Sequence, residues 1–304
     1  MTEPLAYWNG KYLLQSQVHI PLNDAGFVWG ATVTDLCRTF RHKLYRLEDH
    51  VRRFQESCRL ARVPQLASDA ELINTANELA AHNAAGIGAN EDLALVQLAT
   101  PGEIGYYAGR EVGPGDGGPT LILHTFPLPF RRYAKLFQEG ARLVTPRIRH
   151  LPHACIPRQI KHRSRLFWWL AKQEAHEADP DASALLLDEN GSITETAAAN
   201  FVLVRAGTVF SPKRERILNG ISLQVVESLC GEAGIEFVEC DLRLADCDHA
   251  DEAMLSCTSF CLAPVSRINS QPIHWPGPVF ERLLAAWSAK VGVDIRGQIL
   301  SGIM

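Results

Sequence analysis

The stretch at 159–202 constrains the fold of this chain most, because it specifies a helix and two strands in close succession. The run from Lys161 to Glu177 has the composition of a helix. A hydrophobic segment at 182–188 predicts a strand that ends at the Asn190-Gly191 turn, and a second strand is predicted at 200–205. The stretch therefore predicts a unit in which helix and strand alternate.

The rest of the chain also mixes strands with helices. Ser68-Asp69-Ala70-Glu71 is a capping box that opens a helix. The loop at 101–119 is rich in glycine and proline, and loops of this length are often mobile or line a site. Pro127-Leu128-Pro129 then interrupts the pattern. We therefore expect an α+β fold of two domains, at 1–127 and 128–304.

Composition and charge argue against several function classes. The net charge of −4 gives no reason to expect nucleic acid or an anionic membrane as a partner. The longest strongly apolar run, Leu166 to Ala171, is far shorter than the roughly 20 residues of a membrane span. The start of the chain has neither a basic nor an apolar segment, so we expect a cytoplasmic protein. Eight cysteines without a Cys-x-x-Cys pair give no metal-site signal.

Two charged residues in the opening stretch could carry chemistry. The amine of Lys161 can attack a carbonyl when it is deprotonated, which requires burial or nearby cations. His162, Arg163 and Arg165 follow it in the sequence. The carboxylate of Glu195 could pair with a pyridine nitrogen and keep that nitrogen protonated. Judged alone, each residue is also compatible with a solvated surface position.

Three further features are suited to bind a phosphate group. Gly220-Ile221-Ser222 stands at a predicted helix start, where free backbone N–H groups and the helix dipole attract anions. Ser256-Cys257-Thr258-Ser259 ends a predicted strand with three hydroxyl groups. Arg53 would add a guanidinium with a fixed hydrogen-bonding geometry. The first feature is also compatible with an ordinary helix cap, so the weight lies in the combination.

In this order, the features together resemble the class IV aminotransferases, the fold-type IV pyridoxal-phosphate enzymes. That family includes branched-chain aminotransferases, D-amino-acid aminotransferases and aminodeoxychorismate lyase. The resemblance extends from about Trp8 to Val265, and the 34-residue step from Lys161 to Glu195 looks like the family's own. The matching motifs are Asp24–Gly30, His50–Phe54, Ile160–His162, Gly191–Glu195, Asn200-Phe201, Leu218–Ser222, Ser256–Ser259 and Pro264-Val265.

The resemblance implies a fold, a cofactor and a set of site residues. The fold would be a small N-terminal α+β domain and a larger C-terminal domain with a barrel-like sheet. Pyridoxal 5'-phosphate would lie in the cleft between them, and two chains would form a homodimer. Lys161 would bind the cofactor covalently and transfer the proton, and Glu195 would hold the pyridinium nitrogen. The phosphate would be held by Arg53, Ile221, Ser222 and Thr258, with Ser259 as a further candidate.

The expected substrate pocket departs from the family pattern. Phe27 and Trp29 would supply an apolar wall. Thr34 stands where an aromatic pocket residue is usual, so it would make that wall smaller. Leu166 replaces a tyrosine that is frequent in the branched-chain enzymes. A smaller apolar pocket suits a medium or bulky hydrophobic side chain.

The group that would hold the substrate carboxylate is also altered. Pro101 stands where the D-amino-acid enzymes and the lyase have an arginine. Backbone N–H groups near Thr258-Ser259 could replace that contact. A cation such as Arg38, Arg147 or Arg149 is the alternative.

The leading interpretation is transamination between a hydrophobic, branched-chain-like amino acid and a 2-oxo acid such as 2-oxoglutarate. The run at 171–177 is very similar to D-amino-acid aminotransferases, so the handedness of the amino acid stays open. An aminodeoxychorismate lyase is the second alternative. A non-catalytic binding protein on the same fold is the least favoured, since it would need neither Lys161 nor Glu195.

Overall fold

The computed structural model describes residues 3–109 and 117–302. Part of the loop predicted at 101–119 lies outside these ranges. The described residues form helices and two large sheets, which is an α+β architecture. None of the helices in the described ranges is both long and apolar enough to cross a bilayer.

The chain forms two compact units. The first comprises Met1–Leu128 together with Ile160–Arg165, and the second comprises Pro129–Gln159 together with Leu166–Met304. The short segment that carries Lys161 therefore belongs to the first unit, although the sequence had placed it in the second domain. The hydrophobic pattern of the sequence gave no sign that residues 160–165 return to the first unit.

The first unit is built on a six-stranded antiparallel sheet. Its strands are β1 (Leu5–Trp8), β2 (Lys11–Leu14), β3 (Val33–Phe40), β4 (Lys43–Leu44), β5 (Leu93–Thr100) and β6 (Thr120–Pro127). They are ordered β2-β1-β6-β5-β3-β4. The helices of this unit are the short α1 (Ala25–Val28) and the longer α2 (Leu47–Leu60) and α3 (Asp69–Ala84).

The long helices cover one face of this sheet. Val33 and Cys37 of β3 belong to a buried apolar cluster with Phe54 of α2 and Leu79 of α3. Side chains alternate along a strand, so Asp35, which lies between Val33 and Cys37, points to the same face. A carboxylate is thus directed into the contact between sheet and helix.

The second unit contains a nine-stranded sheet and six helices in the described residues. The helices are α4 (Phe130–Glu139), α5 (Leu166–Ala178), α6 (Ile221–Glu232), α7 (Leu244–Cys247), α8 (Pro278–Val291) and α9 (Ile295–Ser301). The strands are β7 (Ala141–Val144), β8 (Ser183–Leu187), β9 (Ile193–Thr196), β10 (Asn200–Arg205), β11 (Thr208–Pro212), β12 (Phe237–Cys240), β13 (Glu252–Cys257), β14 (Cys261–Ile268) and β15 (Gln271–Pro272).

Six of these strands close on themselves. The order runs β10-β13-β14-β7-β8-β9, and β9 pairs again with β10 through Glu195 and Asn200. This ring is the barrel-like sheet that the family resemblance implies. Closure removes the free sheet edges that would otherwise expose unpaired backbone groups. Glu195 therefore lies at the point where the ring closes.

The predicted helix from Lys161 to Glu177 starts too early. The helix α5 begins at Leu166, and the preceding residues are extended. His162 forms an isolated antiparallel bridge with Val33 of β3. The hydroxyl of Ser164 donates to the Gly30 carbonyl at 2.6 Å. These contacts satisfy the backbone of the segment in the first unit, so it does not join the helix.

Asn83 offers a test of how the first unit is held together. Its side chain bonds both the N–H and the carbonyl of Leu5, each at 2.8 Å, and also the Thr125 hydroxyl. Asn83→Ala should lower the free energy of unfolding by about 2–4 kcal/mol, because it leaves buried polar groups unpaired. Asn77→Ala, at an exposed position of the same helix, should change it by less than about 0.5 kcal/mol. Urea unfolding measures both, and equal losses would contradict the assignment.

Candidate active site

The backbone of Lys161 is fixed against strand β3 and helix α2. The Thr34 N–H donates to the Lys161 carbonyl at 2.8 Å. The Arg163 N–H donates to the Thr32 carbonyl at 2.8 Å. The Lys161 N–H donates to Ser57 Oγ at 3.2 Å. Three hydrogen bonds thus set the position of Lys161, whose side chain is partly buried.

Arg53 is bound to a fully buried carboxylate. Its Nε and Nη2 atoms donate to Asp35 Oδ2 and Oδ1, at 2.7 and 2.9 Å. His50 Nδ1 lies 2.7 Å from Asp35 Oδ1. Such a two-pronged contact fixes the plane of the guanidinium. The side chain of Arg53 keeps 11% of its surface exposed, whereas Asp35 has none.

The charges in this group stabilise each other. Burial would raise the pKa of Asp35, but Arg53 and His50 outweigh it and hold that pKa well below its usual range. Burial lowers the pKa of His50, although Asp35 opposes the shift. Asp35 is therefore ionised at neutral pH and serves as the counter-ion that holds Arg53.

Asp35→Asn should lower the free energy of unfolding near pH 7 by about 3–5 kcal/mol, because Arg53 loses its buried counter-ion. Folding lowers the pKa of Asp35, so its contribution is complete above the unfolded value, about 3.9, and is lost as the pH falls below it. Urea unfolding near pH 7 and near pH 3 measures both effects.

Asp49→Asn is the control, on the helix α2 that carries Arg53. Asp49 pairs with Arg46 and Arg52 but, unlike Asp35, it is partly exposed to solvent. Its loss should cost less than about 1 kcal/mol. A loss for Asp35→Asn no larger than this control would contradict the buried pair.

Glu195 is held by neutral donors at the closing pair of the ring. Asn200 Nδ2 donates to Glu195 Oε2 at 3.0 Å, and the Leu218 N–H lies 3.2 and 3.3 Å from the two carboxylate oxygens. The same Asn200 nitrogen donates to the Leu218 carbonyl at 2.9 Å. The carboxylate is 12% exposed. It is thus an oriented acceptor, suited to a cationic N–H group.

The N-terminus of α6 lies next to the same asparagine. Gly220 is the N-cap residue, and no side chain caps the helix. A Cβ atom on Gly220 would lie 2.0 Å from Asn200 Oδ1, so a larger residue does not fit. Ile221 and Ser222 begin the helix, where N–H groups have no acceptor within the helix. This end of α6 is suited to bind an anion.

Hydroxyl groups follow on the neighbouring strand. Ser256 pairs in register with Asn200, and its Oγ atom is buried without a hydrogen-bond partner within the described ranges. Thr258 and Ser259 are partly buried in the turn between β13 and β14. A buried hydroxyl without a partner costs free energy unless a ligand or water satisfies it. The Glu195 carboxylate and the donors at α6 and β13 therefore fit a molecule that carries both a cationic N–H group and an anionic group.

The three predicted pocket residues differ in their exposure. Phe27 and Trp29, in and directly after α1, expose 70% and 57% of their surface. Thr34 is only 3% exposed, and its hydroxyl has no partner in the part of the chain that the structure describes. Their grouping into a substrate pocket stays a prediction.

The cations suggested for the substrate carboxylate either form ion pairs within the chain or are exposed to solvent. Arg38 is 2% exposed and lies 3.4 Å from the buried carboxylate of Asp92. The suggestion is therefore wrong for Arg38, which is a core residue of the first unit. Arg147 is 93% exposed and pairs with Glu174 at 2.8 Å. Arg149 is also exposed.

The sequence analysis missed the roles of two residues. Asn200 entered only as part of a motif, yet its carboxamide joins Glu195 to the loop before α6. A polar side chain at the start of an otherwise buried strand must find partners, and this was the available signal. Ser57, which binds the Lys161 backbone, gave no such signal because its helix position looks ordinary.

The described residues also show how the cysteines are placed. No group of three His, Cys, Asp or Glu side chains among these residues is arranged to hold a metal ion. No disulfide joins the cysteines there. Burial raises the pKa of Cys58, Cys230 and Cys247 to about 12, which makes them poor nucleophiles.

Residues 32–268 match the family model described as amino-transferase class IV, and the chain therefore belongs to this family of enzymes. A Methanocaldococcus jannaschii protein assigned provisionally as a branched-chain-amino-acid aminotransferase is 28% identical over 270 residues, which cover 88% of this chain and 89% of that protein. The D-alanine aminotransferase of Bacillus licheniformis is 28% identical over 284 residues, which cover 92% and 94%.

Solved structures confirm the fold. The Escherichia coli branched-chain amino acid aminotransferase superposes with a TM-score of 0.86 at 22% identity, over 95% of this chain and 94% of that one. The T.th. branched-chain amino acid aminotransferase in complex with N-(5'-phosphopyridoxyl)-L-glutamate gives 0.82 at 24% identity, over 96% and 95%. The α+β fold of the fold-type IV enzymes, predicted from the sequence, is therefore confirmed.

Proposed function

We propose that this class IV aminotransferase uses pyridoxal 5'-phosphate to exchange an amino group between a hydrophobic amino acid and a 2-oxo acid. The observation that carries the proposal is the position of Asn200. Its side chain binds the Glu195 carboxylate and lies against Gly220, the cap of α6. A group that binds cations and a group that binds anions are thus joined in one unit, as the ring nitrogen and the phosphate of this cofactor require.

Each proposed ligand has a distinct task. Glu195 accepts a hydrogen bond from the ring nitrogen and favours its protonated form. The N–H groups of Ile221 and Ser222 bind the phosphate at the start of α6. Thr258 and Ser259 add hydroxyl groups. When bound, the cofactor supplies an aldehyde for the amino group and a ring that withdraws electrons.

Arg53 adds a guanidinium that can bind the phosphate. Asp35 holds this guanidinium in a fixed plane. Arg53→Ala should weaken retention of the cofactor, and because it leaves the buried Asp35 without its counter-ion, occupancy is compared under conditions in which circular dichroism shows that the variant is folded. Dialysis followed by measurement of the bound cofactor tests this role. Full occupancy after extensive dialysis would contradict it.

Lys161 is the proposed nucleophile and proton carrier. Its backbone N–H and carbonyl are each held by a hydrogen bond, and a third bond at Arg163 fixes the same segment, so its amine can act repeatedly from one position. In its neutral form the amine would hold the cofactor covalently, and the same amine would accept and return the substrate's Cα proton.

Borohydride reduction tests the assignment of Lys161. The purified protein should be yellow, and peptide mapping after reduction should find the cofactor on the peptide with Lys161. Lys161→Ala should lower turnover by at least about 10²- to 10⁴-fold, because the proton carrier is lost. Lys172→Ala, at an exposed position of α5, is the control and should keep wild-type turnover. Label on Lys135 or Lys172 would contradict the assignment.

Several observations support a hydrophobic amino donor. Thr34 is smaller than the aromatic residue usual at its position, and Phe27 and Trp29 expose apolar rings. Because Arg38 is buried with Asp92 and Arg147 pairs with Glu174, backbone N–H groups near Thr258-Ser259 and the exposed Arg149 remain as candidates for the carboxylate. One methylene changes selectivity by only about 1–3 kcal/mol, so broad tolerance is expected.

A panel of substrates separates the possible activities. L- and D-leucine, valine, alanine and glutamate are tested as donors, with 2-oxoglutarate and pyruvate as acceptors. We expect the highest turnover with branched-chain donors and 2-oxoglutarate. A preference for D-alanine would instead favour the activity named for the Bacillus licheniformis relative. Pyruvate release from aminodeoxychorismate, without transfer from any amino acid, would favour the lyase.

We further propose a cytoplasmic homodimer. An exposed apolar face of α5 supports a partner surface, since Leu166, Trp169 and Leu170 lie on one side of that helix and expose 71%, 58% and 46% of their surface. Light scattering during gel filtration should give twice the 33.6 kDa mass of one chain. A single-chain mass at micromolar concentration would contradict the dimer.

A further inference from the structure

The Glu195 carboxylate has a neighbour beyond its neutral donors. The backbone N–H of His150 donates to the Leu187 carbonyl at the end of β8, at 2.9 Å. This bond fixes His150 beside the paired strands β8 and β9. Its Nε2 atom then lies 3.5 Å from Glu195 Oε1. The side chain of His150 is 8% exposed, so a buried imidazole faces the carboxylate.

The proton on the His150 ring can be assigned from its contacts. Nδ1 lies 3.3 Å from the Leu151 carbonyl, which can only accept, so we assign a proton to Nδ1. A neutral ring would then present a bare Nε2 to the carboxylate oxygen, whereas a protonated ring places a positive charge 3.5 Å from it. Phe167 and Trp168 hold the ring from α5, with centroids 5.2 and 5.3 Å away. The arrangement favours a cationic ring beside Glu195.

A second cation of the same unit has open hydrogen-bonding positions. Arg158 is 6% exposed, and its Nε and Nη1 atoms are buried without a partner among the described residues. Burial lowers the pKa of Arg158, and Glu195 opposes this shift most, followed by Glu189 and Asp188. Asp188 is itself bound by Arg216 at 2.7 Å. A buried guanidinium is costly without a counter-charge. Because Asp188 is engaged by Arg216 and Glu189 is exposed, Glu195, which is only 12% exposed, is the largely buried carboxylate that can serve as one.

We propose that His150 and Arg158 are positioning residues that place positive charge behind the Glu195 carboxylate. They keep the carboxylate ionised, while Asn200 and the Leu218 N–H set its direction. The inference rests on the proposed function, in which Glu195 binds the ring nitrogen of the cofactor. The two cations moderate the negative charge that Glu195 presents and so adjust how strongly that nitrogen holds its proton.

A double-mutant cycle on the full-length, cofactor-free chain tests the charge coupling. Arg158→Gln is compared in the wild-type and Glu195→Gln backgrounds by equilibrium unfolding. If Arg158 backs Glu195, its loss should be at least about tenfold more damaging to the folding equilibrium constant when Glu195 is present. His150→Gln is measured in the same two backgrounds. Ratios near one for both residues would overturn the proposal.

Glu189→Gln provides the matched control background. Glu189 is an exposed carboxylate in the turn after β8, and it acts on Arg158 only through solvent-screened charge. The effect of Arg158→Gln should change by less than about threefold in this background. An equal coupling to Glu189 would mean that Arg158 responds to the local charge in general, which would contradict a specific role behind Glu195.

The absorption spectrum of bound pyridoxal phosphate is the second readout. Its maximum would not change if His150 and Arg158 only stabilised the fold. Arg158→Gln and His150→Gln should each shift its maximum, and Arg158→Lys, which keeps the charge, should restore the wild-type position. Unchanged spectra at full occupancy would overturn the proposal. The coupling to Glu195 is measured without cofactor, so its outcome is independent of the borohydride experiment. Coupling in a chain that borohydride does not label at Lys161 would support the charge arrangement and contradict the proposed function.

Discussion

The contact between Asn200 and Glu195 is the one on which the second unit depends. Their backbone pairing closes six strands into a ring, and their side chains are hydrogen-bonded to each other. The Asn200 side chain also reaches the Leu218 carbonyl and leaves room only for glycine at position 220. One carboxamide therefore couples ring closure to the position of Glu195 and to the N-terminus of α6.

In the first unit a strand likewise sets the position of the proposed reactive side chain. The segment around Lys161 is bound to β3 and α2 through its backbone, which leaves the amine unconstrained by helix geometry. Asp35, on the same strand, directs its carboxylate into the helix contact and holds Arg53. The strand thus positions both the proposed nucleophile and the proposed phosphate ligand, and the contact between the strand and the helix supplies the counter-ion.

Local sequence signals predicted the features that depend on neighbouring residues. They failed for features that contacts between distant residues determine. The capping box at Ser68 forms both of its hydrogen bonds, and α6 begins at Ile221 as its glycine cap indicates. The predicted start of α5 was wrong because His162 pairs with Val33 of β3, and this pairing competes with the helix. No local sequence pattern indicates such a pairing. Arg38 looked available in the sequence, since burial beside Asp92 depends on a residue 54 positions away.

The central claim is that Glu195 keeps the cofactor's ring nitrogen protonated. NMR of the bound cofactor, labelled with ¹⁵N at that nitrogen, reports its protonation state directly. The account predicts a protonated nitrogen in the wild-type protein. In Glu195→Gln at the same occupancy we predict an unprotonated one, because the negative charge is lost and the groups that surrounded it are neutral donors or cations. A protonated nitrogen in both proteins would contradict the account.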